Sequence, residues 1–264
     1  MFHFKHVWLF LFLFLIGCEE EALIFDNPID PQNPSYIPPQ ITLTQSPLPD
    51  EVVNSAEILF SWEGNEAGML YQYSIDNYIS GWLTENFINI THLDEGDHSF
   101  SIQSKYTNED TSDIINLNFI VDAVKGPSIM FFPRKHKAYV GQKIQFDVIA
   151  EEVDSLVGAS FKFTYDNSSV GIDSIVVGEF IENNQESIFF KEISSNEAFV
   201  NVISAILSDN NSSFAGSKSI ASIYMSVLSN KTSELKFDGT ETFRTLNNEL
   251  IDIKSSINAI VETN

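Results

Sequence analysis

Five histidines, one cysteine and 37 acidic residues are the groups with which this 264-residue chain could do chemistry. His92, His98 and His136 each stand without a second histidine or a carboxylate at metal-ligand spacing, so a structural or surface role is expected for all three. There is no G-x-S-x-G turn to present a serine and no glycine-rich phosphate loop. The acidic pairs Asp94-Glu95 and Glu151-Glu152 fall in expected turns or on solvent faces. Glycoside hydrolysis needs two carboxylates ~5–9.5 Å apart across a cleft, and nothing in the sequence nominates such a pair. Asp209-Asn210-Asn211 is acidic enough to attract calcium but lacks the alternating ligand spacing, and it reads as a turn. No catalytic residue, metal ligand or cofactor is assigned, and no enzymatic activity is expected.

The cysteine, Cys18, belongs to the start of the chain. Lys5 with His3 and His6 forms a short basic head, and Val7 to Ile16 is an unbroken apolar run. That run is too short for a membrane-crossing helix, which takes roughly 20 residues, and fits the ~7–15 residues of a secretory signal. Leu15-Ile16-Gly17-Cys18 resembles the lipobox of bacterial lipoproteins. The resemblance implies a signal peptide over 1–17 and a covalent lipid on Cys18, which leaves no thiol for redox work or a disulfide. Glu19, Glu20 and Glu21 resemble the surface-export signals of some outer-membrane lipoproteins, so outward display on the outer membrane is expected. Residues 18–40, with Pro28, Pro31, Pro34, Pro38 and Pro39, read as an acidic, proline-rich spacer. Fully extended, it would reach roughly 70 Å.

Without residues 1–17 the formal charge is 13 minus 37, or −24. Affinity for nucleic acid comes from clustered Lys and Arg, so a phosphate-backbone partner is excluded. The charge is spread along the chain and reads as a solvated, repulsive surface on a monomer.

From Ile41 onward the apolar residues alternate in short runs separated by turn residues, and no helical period is evident. Strands at roughly 8–12-residue spacing predict an all-β chain with two β-sandwiches. A first module spans 41–124 and a second 127–264, divided at Gly126-Pro127-Ser128-Ile129. In the first, Phe60-Ser61-Trp62, YQYSID at 71–76, Trp82 and LDEGDHSFSIQSKY at 93–106 resemble immunoglobulin-like and fibronectin type III-like repeats of bacterial surface proteins. Trp62 is expected in the core; Trp62 and Trp82 are also the residues a sugar-stacking platform would use.

In the second module, Val140-Gly141-Gln142, the strand from Gly158 to Asp166, Gly178-Glu179-Phe180, SFAGSKSIASIYMSVLS at 213–229 and the closing INAIV follow one another in an order and spacing that resemble those of a cohesin domain. Two departures are Asn167-Ser168-Ser169 after Tyr165-Asp166, where proline is frequent, and the stretch Glu182 to Asn196. The resemblance implies a jelly-roll-like sandwich that binds a dockerin module through one sheet face. A neighbouring expectation is a carbohydrate-binding lipoprotein that captures polysaccharide. Strand parity proposes the face. Phe161, Phe163 and Tyr165 point inward, leaving Lys162 and Thr164 outside. Val200 and Val202 leave Phe199, Asn201 and Ile203 outside, and Ala221, Ile223, Met225 and Val227 leave Tyr224 and Leu228 outside. If these strands share one sheet, the seven outward residues form a partner-binding face more apolar than solvent requires.

Overall fold

The computed structural model describes residues 27–182, 186–207 and 213–263. Cys18, the signal peptide and Asp209-Asn210-Asn211 lie outside them. Strands dominate, as period-two alternation requires. The first eight are β1 (Ile41–Gln45), β2 (Glu51–Val53), β3 (Ile58–Gly64), β4 (Leu70–Ile75), β5 (Tyr78–Ile79), β6 (Phe87–Ile90), β7 (Gly96–Lys105) and β8 (Ile115–Val121). They form two sheets, ordered β1-β3-β6 and β2-β8-β7-β4-β5, all antiparallel neighbours except the parallel pair β2 and β8. Alternate residues of β3 and β7 meet between the sheets. Phe60 stacks on Phe100 at 4.0 Å, and Trp62 is buried against Tyr71 and Tyr73.

The remaining strands are β9 (Ser128–Phe132), β10 (Lys135–Ala138), β11 (Lys143–Leu156), β12 (Gly158–Thr164) and β13 (Val170–Val177). After the one-turn helix α1 (Glu179–Glu182) come β14 (Ser187–Ser194), β15 (Phe199–Ile206), β16 (Phe214–Val227) and β17 (Ser233–Phe237). The chain closes through β18 (Thr242–Arg244), β19 (Leu250–Ile251), β20 (Ser255–Ile257) and β21 (Ala259–Thr263). One sheet runs β13-β16-β11-β9-β20, the other β10-β21-β17-β12-β15-β14, with β18 also on β12 and β19 on β18. Between them Phe131, Phe146, Phe161, Phe163 and Phe237 pack with the aliphatic residues of β11, β15 and β16. Glycine is required at Gly178, ahead of α1: a Cβ there would lie 2.4 Å from the Ser219 carbonyl oxygen of β16.

Two sequence expectations change. Residues 27–40 do not run as an extended polyproline spacer. Asn27, Asp30 and Asn33, each followed by proline, form three successive turns, because each side chain accepts from the backbone N–H two residues on (3.2, 2.9 and 2.8 Å). Each backbone carbonyl also accepts from the N–H three residues on. This strap packs on the end of the first module away from the second. Tyr36 donates to Asp110 at 2.7 Å, Tyr106 to the Ile37 carbonyl at 2.9 Å, and Asn108 to the Ile29 carbonyl at 2.9 Å. Roughly 14 residues therefore leave the extended reach estimated for the spacer.

Nor does Asp94-Glu95 form a solvated turn. These residues grip the second module. Asp94 Oδ1 accepts from the Arg134 N–H at 2.6 Å, and Glu95 pairs with the Arg134 guanidinium while accepting from the Ala123 N–H at 3.0 Å. Arg134 is 3% exposed. Burial pushes the Asp94 carboxyl above its ordinary value, against the lowering effects of the Arg134 amide and charge. His98 joins the same corner, its Nδ1 2.8 Å from Asp76 Oδ2 and its Nε2 3.0 Å from the Asp94 carbonyl oxygen. Asp76 is 22 positions away, so sequence spacing could not show the pair.

Candidate docking face

The strands expected to carry the face are partly together. β12 and β15 are neighbours, with Lys162 opposite Asn201 and Thr164 opposite Phe199. Directly opposed residues share a face. Lys162, Thr164, Phe199, Asn201 and Ile203 therefore stand on one outer surface, above the buried Phe161, Phe163, Val200 and Val202. β16 belongs to the opposite sheet, beside β11 and β13. Tyr224 and Leu228 point outward as parity required, but from the other side of the sandwich, and they leave the candidate set. The premise of one shared sheet failed because parity fixes the side of a strand and carries no information about its neighbours.

The space they vacate is filled from β14, which pairs with β15 along its whole length. Ile188 lies opposite Ala205, Phe190 opposite Ile203, and Glu192 opposite Asn201. Across β12 the rows continue to β18, with Ser160 opposite Thr242 and Gly158 opposite Arg244. At the far side Thr164 meets Lys236 of β17. The result is an apolar patch of Ile188, Phe190, Ile203 and Ala205 beside a polar half of Lys162, Asn201, Thr164, Glu192 and Lys236. Ile188 is 45%, Phe190 52% and Ile203 41% exposed, for adjacent side chains that gain nothing from water. Phe190 and Ile188 were missed because their stretch departs from the family pattern, and the continuous run Ile188-Phe189-Phe190 gives parity little contrast.

The polar half is held in place. The Lys162 ammonium sits 4.2 Å from the Phe199 ring centroid and 3.9 Å from Asp238 Oδ2, an arrangement that fixes a long side chain over an aromatic face. Lys162, Lys236 and Arg244 stand against Glu192, Glu234 and Asp238, so this face is balanced in charge on a chain of net charge −23. Just beyond β12 the turn Asp166-Asn167-Ser168-Ser169 does the work of the expected proline. Asp166 accepts from the Ser168 N–H and hydroxyl (2.9 and 2.7 Å) and from the Ser169 hydroxyl at 2.7 Å. These bonds, the Ser169 hydroxyl first, hold its carboxyl down at about 2.

The opposite face mixes exposed apolar side chains, Phe132, Val176, Tyr224 and Leu228, with polar groups that pair among themselves. Ser222 donates to Asp147 and Ser226 to Asp173, and Gln145 donates to Asp147 at 3.0 Å, so Tyr224 stands among paired polar groups. Trp62 is core. Trp82 is partly buried with the Lys105 ammonium 4.7 Å over its ring, so neither tryptophan offers a bare stacking platform.

A family model described as "Cohesin domain" matches residues 129–260. Solved structures similar to this chain include a non-cellulosomal cohesin from Archaeoglobus fulgidus, at 17% identity and a TM-score of 0.43 over 52% of this chain and 90% of that one. The cohesin of a type I cohesin–dockerin complex from Clostridium thermocellum is similar at 18% identity and a TM-score of 0.46, covering 52% and 98%. A type II cohesin domain from the cellulosome of Acetivibrio cellulolyticus is similar at 14% identity and 0.46, covering 51% and 94%. No curated protein matches the chain.

Proposed function

The chain belongs to the cohesin family, and from that premise we propose that it is a non-enzymatic surface adaptor whose β14-β15-β12-β17 face captures a dockerin-like module of another protein. The observation that carries this reading is the contiguous exposed patch of Ile188, Phe190 and Ile203 next to the fixed Lys162. Burying one such side chain stabilises a complex by roughly 1.5–3 kcal/mol before ordering costs, so three adjacent ones are enough to anchor an interface. Cys18, acylated, would hold the protein in the outer membrane facing outward. The first module, read as immunoglobulin- or fibronectin type III-like, would serve as the stem. Use in polysaccharide breakdown follows if the captured partners are glycan-active.

The test uses residues 27–264, keeping the strap, immobilised and exposed to the native secretome with calcium. Retained proteins carrying paired calcium loops of the D-x-N-x-D-G kind, released by a chelator and absent from a Phe190→Asp column, are the expected result. Retention by insoluble polysaccharide with no protein partner would replace this reading with the glycan-capturing one.

A further inference from the structure

Where the two modules meet, a cleft of about 530 Å³ opens between β5 and β6, the edges of the first module's sheets, and β10 of the second module closes one side. That volume lies within the ~300–1,000 Å³ of small-ligand sites. The lining is apolar where it is deep, with Ile75, Ile88, Ile90 and Leu93 beside the buried Tyr73. The carboxylates on the wall are engaged elsewhere. Asp76 accepts from the Ser99 N–H at 2.9 Å and faces His98, and Asp94 holds the Arg134 amide. Lys135 is likewise committed, 2.8 Å from Glu262. Lys137 differs: among the described residues it makes no ion pair, and its ammonium lies 3.8 Å from the Tyr78 ring centroid at the lip. The Lys137 ammonium over the apolar cleft gives an anionic headgroup one place to settle.

We propose that this inter-module cleft binds a small amphipathic monocarboxylate, with its apolar body on the isoleucine floor and its carboxylate at Lys137. The site lies on neither sheet face of the second module, so it is independent of docking. The full chain is titrated with octanoate, and with octylamine and octyl glucoside as cationic and neutral controls of the same tail, while the isoleucine methyl resonances are followed. Saturable shifts at Ile88 and Ile90 with octanoate are expected, weakened about tenfold in Lys137→Glu. Lys137 is exposed, so the substitution leaves the fold intact, and unchanged dispersion of the other methyls verifies it. An equal response to octylamine or octyl glucoside, an unchanged octanoate affinity in Lys137→Glu, or no saturable shift at millimolar octanoate would each overturn the proposal.

Discussion

Replacing Arg134 with methionine removes the guanidinium that joins the two sandwiches and keeps most of the side-chain volume. Arg134 is 3% exposed and pairs with Glu95, whose side chain is 18% exposed and also accepts from Ala123. Breaking a buried pair by deleting one partner costs about 3–5 kcal/mol, because the other charge stays desolvated. Glu95 keeps its bond to the Ala123 amide and some water, so Arg134→Met should fall at the lower end, about 3 kcal/mol. Glu95→Gln leaves a cation in an almost dry site and should fall at the upper end. The double variant removes both charges of the pair, so it should cost no more than the milder single one. That gives a coupling energy of several kcal/mol, far above the ~0.5 kcal/mol scatter of independent sites. The assay is urea unfolding followed by two probes. In a chain without residues 1–17, which carry Trp8, the tryptophans Trp62 and Trp82 both lie in the first module, so fluorescence reports that module alone, whereas far-ultraviolet circular dichroism reports both. The two transitions should coincide in the native protein and separate in either single variant. Single variants that lose less than about 1 kcal/mol with transitions still coincident would show that the buried pair does not couple the modules.

Ile203→Asp should abolish capture of the partner with an unchanged thermal midpoint, since the side chain is exposed, while Tyr224→Asp on the opposite sheet should leave capture intact; surface plasmon resonance separates the two. Gly178→Ala places a methyl 2.4 Å from the Ser219 carbonyl oxygen and should destabilise the second module by about 1–3 kcal/mol, seen as a lower midpoint in denaturant. Asp94 has a raised carboxyl value in the folded state, so its favourable contribution is complete below the ordinary 3.8 and is lost as pH rises through the raised value. Asp94→Asn, which can still accept from the Arg134 amide, should therefore match or exceed the native stability at pH 7 and lose that advantage as pH falls toward 4. The lowered Asp166 carboxyl has the opposite sense: its contribution is present above the ordinary 3.8 and disappears as pH falls through about 2, so Asp166→Asn should flatten the acid limb of the stability profile there.

Strand identity and parity were legible because burial in a sandwich imposes period two. Phe161/Phe163, Val200/Val202 and Ile223/Met225 all point inward, and the alternate residues of those strands face outward. Sheet membership was not legible. Whether Tyr224 neighbours Ile203 depends on which strands pair across the jelly roll, and that is settled by long-range contacts with no local signature. Phe190 was hidden for a different reason, because β14 is an edge strand whose two faces are both partly wet and its alternation has little contrast: Phe189 is half-buried and Phe190 exposed. The strap illustrates a third limit. Prolines were read as extending the chain, yet Asn27, Asp30 and Asn33 sit immediately before three of them, and an Asx side chain before proline closes a turn as readily as proline opens one.

The parallel pairing of β2 with β8 has a mechanical consequence. The strap leads into the first module at one end and β8 leaves for the second module at the other, so tension applied between the strap and the second module pulls these two strands past each other lengthwise. Glu51, Val52 and Val53 face Phe119, Ile120 and Val121. Their hydrogen bonds therefore take such a load together, in shear, instead of opening one at a time like a zipper. β7, ten residues long and spanning ~33 Å at a strand's rise, lies beside β8 and stiffens the member that bears the pull.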